Sequence, residues 1–429
     1  MISGQPCRSH ETVPSKSKTT WEIAARAAKT ELNSTGPVKD AHDAIICWPV
    51  ESLSSKRSIM RPDLNAVSNR RGFLKATAAA GATFALTGVP LPSSAVAQEI
   101  SSAAKPKIRL GFDNFSIRAM GWKADALLDY AASLKLDSIL ISDLDAYESF
   151  EEPYLKRVAA TGEEHGIKIH AGTWSICPTS KFFKNKWGNA EEHLRLGLRV
   201  AKALGSPVLR CILGMGDDRK TEGGIEARIA DTVKVCKACR TQATDSGVKI
   251  AIENHAGDMQ AWELVELIET AGKEYVGATL DSGNATWTME DPLASLQTLG
   301  PYTLSTGIRD SMVWGYNDGV KVQWTAMGEG LVDWKVYIEM FAKLCPNAPI
   351  NLEIISGFSR ALPLYQPDYW KVWPKARASD LARFLAMARR GKPLENHRPP
   401  DNKAEQEYQK SELERSLKYC KEVLGLGLR

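Results

Sequence analysis

From Lys107 onward the chain changes period repeatedly: short apolar runs of strand length alternate with longer stretches patterned at three and four residues. The apolar runs predict strands over Ile108–Phe112, Ser138–Ile141, Ile167–Ala171, Val208–Leu213, Val248–Glu253, Gly277–Asp281, Tyr302–Ile308 and Ile350–Ile355. Helices are expected over Ala124–Leu134, Glu151–His165, Glu191–Leu204, Ile225–Ser246, Ala261–Ala271, Trp334–Leu344 and Ser379–Arg390. Glycines in Leu204-Gly205 and Ser246-Gly247 stand where a helix end takes the left-handed conformation. Such alternation implies parallel strands joined by right-handed crossovers. Eight strands then predict an α/β fold closed into a (β/α)8 TIM barrel. An open doubly wound sheet would carry a glycine-rich phosphate loop after its first strand, and Leu110-Gly111-Phe112-Asp113-Asn114-Phe115 has none.

The periodic region bounds the barrel at residues 105–392. Residues 393–429 form a C-terminal helical extension, with a charged helix from about Ala404 to Leu424. Its apolar positions Leu413, Leu417, Val423 and Leu424 are expected to pack on the barrel in preference to another subunit. Ahead of the barrel, Asn69-Arg70-Arg71-Gly72-Phe73-Leu74-Lys75 resembles a twin-arginine export signal. The mildly apolar run Ala76–Val89 follows, too short to span a bilayer, and Ala95-Val96-Ala97 supplies a small-x-small cleavage site. Residues 60–97 are therefore expected to be a signal peptide and the mature protein periplasmic. Residues 1–59, which lack apolar periodicity, are expected to be disordered or a mis-assigned extension with Met60 as the true start.

Composition narrows the partners. With 55 basic against 51 acidic residues and no long basic block, the chain lacks the concentrated footprint of a nucleic-acid-binding protein. No apolar stretch reaches the length of a membrane span, so none is expected after signal cleavage. Cys236 and Cys239 are spaced as Cys-x-x-Cys, but they lie in an amphipathic helical pattern with no second pair nearby, which favours helix core over a zinc or redox site. The partner expected is a small sugar or glycoside, and the sequence leaves a homo-oligomer open.

Barrel chemistry gathers at the C-terminal ends of the strands. Strand five ends Ile250-Ala251-Ile252-Glu253, strand six Ala278-Thr279-Leu280-Asp281, and strand eight Asn351-Leu352-Glu353. Each acid directly follows apolar residues, where an unpaired carboxylate is costly to desolvate. Three anions facing one mouth repel one another unless a cation sits among them, and a hard divalent ion suits oxygen ligands.

These residues resemble the xylose isomerase-like TIM barrels, often described as sugar phosphate isomerases or epimerases, across about Lys107–Arg390. The resemblance implies a divalent metal (Mn, Mg, Co or Zn) held by Glu253, Asp281 and Glu353. It also implies a histidine ligand on strand seven. Here that strand reads Gly307-Ile308-Arg309-Asp310, so glycine stands at the ligand position, and His170, His255 and Gln323 are the candidate replacements. A multinuclear zinc repair site, as in the related endonuclease IV-like barrels, needs more histidines than this chain offers.

The implied chemistry is proton transfer beside a carbonyl through an enediolate, with Glu253 and Glu353 as the catalytic pair. His170, Arg210, His255, Asn284, Arg309 and Gln323 are the expected substrate-binding residues, and Trp174, Trp287, Trp314 and Trp324 are placed in or beside mouth loops. The expected function is an exported, metal-dependent sugar isomerase or epimerase. Two alternatives remain: a lyase or hydrolase of oxidised sugar glycosides on the same site, and a non-catalytic sugar-binding protein whose metal site has decayed.

Overall fold

A computed structural model describes residues 107–429; the expected signal peptide and the segment before it lie outside the described residues. Strands β1 (Leu110–Asp113), β2 (Ser138–Ile141), β3 (Lys168–Ser175), β4 (Val208–Ile212), β5 (Lys249–Glu253), β6 (Val276–Asp281) and β7 (Thr303–Gly307) pair in sequence order, all parallel. The eighth barrel strand, here β10 (Ile350–Leu352), pairs parallel with β1. Closure rests on a single bridge. The Ile308 N–H donates to the Asn351 carbonyl at 2.8 Å, and the Glu353 N–H donates to the Ile308 carbonyl at 3.0 Å. The fold is therefore the expected (β/α)8 TIM barrel, and its closing bridge fixes the backbone of Glu353 beside strand seven.

Helices α1 (Ala124–Ser133), α2 (Glu152–Glu164), α3 (Ala190–Ala203), α4 (Gly224–Ala238), α5 (Arg240–Ser246) and α6 (Ala261–Ala271) fall where the periodicity places them. The expected helix Ile225–Ser246 is two helices meeting at Cys239. Gly205 and Gly247 take φ of 67° and 70°, as their cap positions require. Cys236 and Cys239 are buried in the barrel core, and burial pushes their thiols up to about 12 and about 11. Two short helices between strands six and seven, α7 (Ser282–Trp287) and α8 (Pro292–Leu299), were not evident from periodicity.

After β7 the chain departs from the simple barrel. β8 (Asp310–Tyr316) and β9 (Gly319–Thr325) form an antiparallel hairpin, and β11 (Ser359–Leu362) adds to β9. Trp314, Gln323 and Trp324 therefore lie in a second sheet, inserted in the connection that follows barrel strand seven. Helix α9 (Trp334–Leu344) packs on the barrel, whereas α10 (Ala378–Ala388) buries Phe384 and Met387 against Val313, Val320 and Val322 of the second sheet. Helix α11 (Asn402–Glu422), from the C-terminal extension, buries Leu413, Leu417 and Cys420 in the barrel core. It runs antiparallel to β1. Gln409 accepts from the Ala119 N–H near the mouth, and beyond the helix the Gly427 N–H donates to Ile108 at the opposite end. That is the place of an eighth barrel helix. Val423 departs from the expected packing set, being half-exposed at 50%. Among the described residues no helix is long and apolar enough to cross a membrane.

Candidate active site

Three strand ends converge. Glu253 closes β5, Asp281 closes β6, and Glu353 follows β10, and one carboxylate oxygen from each lies within 4.8 Å of the other two. All three are buried, with 1%, 0% and 4% exposure. Asn254 holds the β5 and β6 ends in step: its Oδ1 accepts from the Asp281 N–H at 2.9 Å and its Nδ2 donates to the Asp281 carbonyl at 2.8 Å.

Other expected residues surround this trio. Asn284, one turn after Asp281, donates through Nδ2 to Glu253 Oε1 at 3.1 Å and to Asp281 Oδ2 at 2.8 Å. Arg210 donates through Nε to Glu253 Oε2 at 2.5 Å. Arg309 donates through Nη2 to Glu353 Oε2 at 2.6 Å and also to Asp281 Oδ2. Burial alone would lower the pKa of Arg309 and Arg210, but the facing carboxylates outweigh it and hold both guanidiniums firmly cationic. Every acid of the trio thus touches an arginine. The cation demanded by three converging anions is supplied, at least in part, by the chain itself.

Three expected residues stand elsewhere. His170 lines a cavity with Arg109, Ser138, Lys168 and Arg429, at the N-terminal ends of the strands, and its Nδ1 meets Ser305 Oγ at 2.8 Å. It belongs to the bottom of the barrel, because β3 runs on through Ser175 and ends four residues later than its apolar run suggests. Gln323 donates to the Glu395 carbonyl at 3.1 Å and bonds to none of the trio. His255 lies in the loop after β5, its Nδ1 against the Gly214 carbonyl at 2.7 Å. Burial, with the nearby Arg210 charge, pushes its pKa down to about 3, so it is a neutral imidazole. Neither histidine nor Gln323 takes the ligand place left by Gly307.

Asp113, at the end of β1, was missed. It carries the same signal as the trio, an acid directly after an apolar strand. Its Oδ1 accepts from Ser142 Oγ at 2.6 Å, its buried Oδ2 has no partner, and burial together with the Glu353 charge raises its pKa to about 8.

The trio suits a hard divalent ion, since oxygens at this mutual spacing can each reach one ion at roughly 2.0–2.6 Å. Asn284 keeps a buried Oδ1 without a partner beside it. Residues 128–385 match the xylose isomerase-like TIM barrel family. The chain belongs to that family. No curated protein matches it. Among solved structures it is similar to a xylose isomerase domain protein from Planctomyces limnophilus, with 16% identity, 66% of this chain and 97% of that chain covered, and a TM-score of 0.46. A D-psicose 3-epimerase structure shows 18% identity over 66% and 98%, with a TM-score of 0.45. A 3-keto-D-glucoside 4-epimerase from E. coli shows 12% over 66% and 99%, also with a TM-score of 0.45.

Proposed function

We propose that this barrel is a sugar isomerase or epimerase that moves a proton beside a carbonyl group. The observation that carries the reading is the meeting of Glu253, Asp281 and Glu353 at the C-terminal end of the barrel. Glu253 as carboxylate removes the proton from the carbon next to the carbonyl, leaving an enediolate. Glu353, on the other side, relays a proton from solvent to the opposite face, while Glu253 gives the proton it took up back to solvent. Arg210 orients Glu253, and Asn284 aligns Glu253 with Asp281. Glu253, Asp281 and Glu353 would hold a divalent ion of the Mn, Mg, Co or Zn type, which when bound polarises the carbonyl and stabilises negative charge on its oxygen.

The tryptophans serve the site less directly than their positions in sequence suggest. Trp287 and Trp324 stack on each other at 4.0 Å, and Arg309 lies 4.2 Å over Trp324, so a sugar ring has little of these faces to itself. Periplasmic location and a small sugar or glycoside substrate belong to the same proposal, supported by the Arg70-Arg71 motif.

Solvent deuterium tests the reaction. Incubation of the protein with a panel of keto-sugars in D2O should place deuterium on a carbon beside the carbonyl. Glu253→Gln and Glu353→Gln should each lower the exchange by about a hundredfold or more, with the circular dichroism spectrum unchanged. Exchange that survives both substitutions would remove the acid/base pair. Carbohydrate binding without exchange would favour the non-catalytic alternative, which Gly307 supports.

A further inference from the structure

We infer that Arg309 is a built-in competitor for the divalent ion, and that its guanidinium, seated on two of the three ligand carboxylates, sets how tightly this site takes metal. The inference rests on the proposed reading of Glu253, Asp281 and Glu353 as ion ligands.

Three independent features place the guanidinium there. Strand seven offers no side chain at Gly307, where a Cβ would stand 2.9 Å from Glu353 Oε2 and 3.4 Å from Asp281 Oδ2. The nearest cationic side chain along that strand edge, Arg309, places Nη2 on those same two oxygens. Gly283 makes room for its stem: a Cβ at that position would stand 2.4 Å from Cγ, 2.5 Å from Cδ and 2.8 Å from Nε of Arg309. Trp324 then covers the guanidinium, and its own indole N–H is tied to the Gly283 carbonyl at 2.9 Å.

A dication ligated by Asp281 and Glu353 needs the oxygens that Arg309 holds. It would also stand within a few ångströms of a buried positive charge, where repulsion is poorly screened. Ion entry therefore requires the guanidinium to withdraw, and the free energy of that withdrawal is subtracted from the affinity of the trio. Two of the guanidinium's nitrogens, Nε and Nη1, are buried without partners, so the seat is held by charge and stacking and not by a complete hydrogen-bond set.

Isothermal titration with Mn2+ on the full chain tests this without reference to turnover. Arg309→Met should bind Mn2+ about tenfold or more tighter than the unaltered protein, because competition is removed. That variant leaves buried carboxylates uncompensated and is the more prone to misfold. Gly283→Ala therefore provides the second arm: it keeps the arginine and every ligand, but pushes the guanidinium off its seat, and should also tighten binding. Glu253→Gln should weaken the ion in each background. Affinity that is unchanged or weaker in Gly283→Ala overturns the inference, as does Mn2+ binding indifferent to Glu253→Gln. If affinity shifts as expected while the keto-sugars show no deuterium exchange, the competitor stands and the proposed reaction falls.

Discussion

Asp113 ends β1 with one carboxylate oxygen accepting from Ser142 and the Phe115 N–H and the other buried without a partner. Burial, then the Glu353 charge, raises its pKa from 3.8 to about 8. The folded chain thus holds this proton more tightly than the unfolded chain. The stability linked to it is complete below the unfolded value and is lost as pH rises through about 8. Asp113→Asn cannot ionise, so its unfolding free energy relative to the unaltered protein should climb between about pH 4 and pH 9, as read by urea titration at each pH. A difference independent of pH would show Asp113 to be an ordinary carboxylate. The trio was legible from sequence because each acid interrupts an apolar run. Asp113 interrupts Leu110-Gly111-Phe112 in the same way and was equally legible. The position of His170 was not, because β3 continues through Gly172, Thr173 and Ser175, polar or small residues that carry no apolar signature.

At the scale of elements, the hairpin of β8 and β9 has a period-two pattern in Val320-Lys321-Val322-Gln323-Trp324. Sequence alone could not say that this pattern builds a separate sheet, since its partner β11 arrives only after the eighth barrel strand. Asp310 pins this insertion at its start. Its carboxylate accepts from the backbone N–H groups of Ser311, Gly328, Gly330 and Val332 and from the Trp334 indole N–H at 2.8 Å. Although it neighbours Arg309 in sequence, it bonds to none of the trio and acts as an anchor for the loop leading into α9. Asp310→Ala orphans five donors at once and should cost about 3 kcal/mol or more, measured by chemical denaturation. Asp310→Asn, which keeps an acceptor oxygen, should recover part of that loss. A cost below about 1 kcal/mol for the alanine variant would show that water satisfies those donors equally well.

The whole molecule closes through its C-terminus. A helix from a polar, charged stretch gives a weak apolar signal, and so α11 reads in sequence as an addition to a barrel that ends near residue 392. In the folded chain the next helix after strand eight, α10, comes only after β11 and is diverted to the second sheet, and the barrel's outer face beside β10 and β1 is left to α11. Leu413 and Leu417 are buried there at 0% and 3%, Tyr130 of α1 bonds to Glu414 at 3.0 Å, and the Met327 N–H donates to Ser416 at 3.1 Å. The apolar face of α11 is thus spent on its own barrel, which leaves it unavailable to a second copy. Because those leucines are enclosed, Leu413→Ala and Leu417→Ala should each lower the unfolding free energy by about 2–5 kcal/mol. Deletion of residues 402–429 should leave a chain that exposes the uncovered face and binds hydrophobic dyes. The decisive comparison is between truncated and full chains in a single urea titration. If α11 is the eighth wall, deletion broadens or abolishes the barrel's own transition, because the core it covers is shared with α1 and β1. A sharp transition at an unchanged midpoint in the truncated chain would make the helix a dispensable strap.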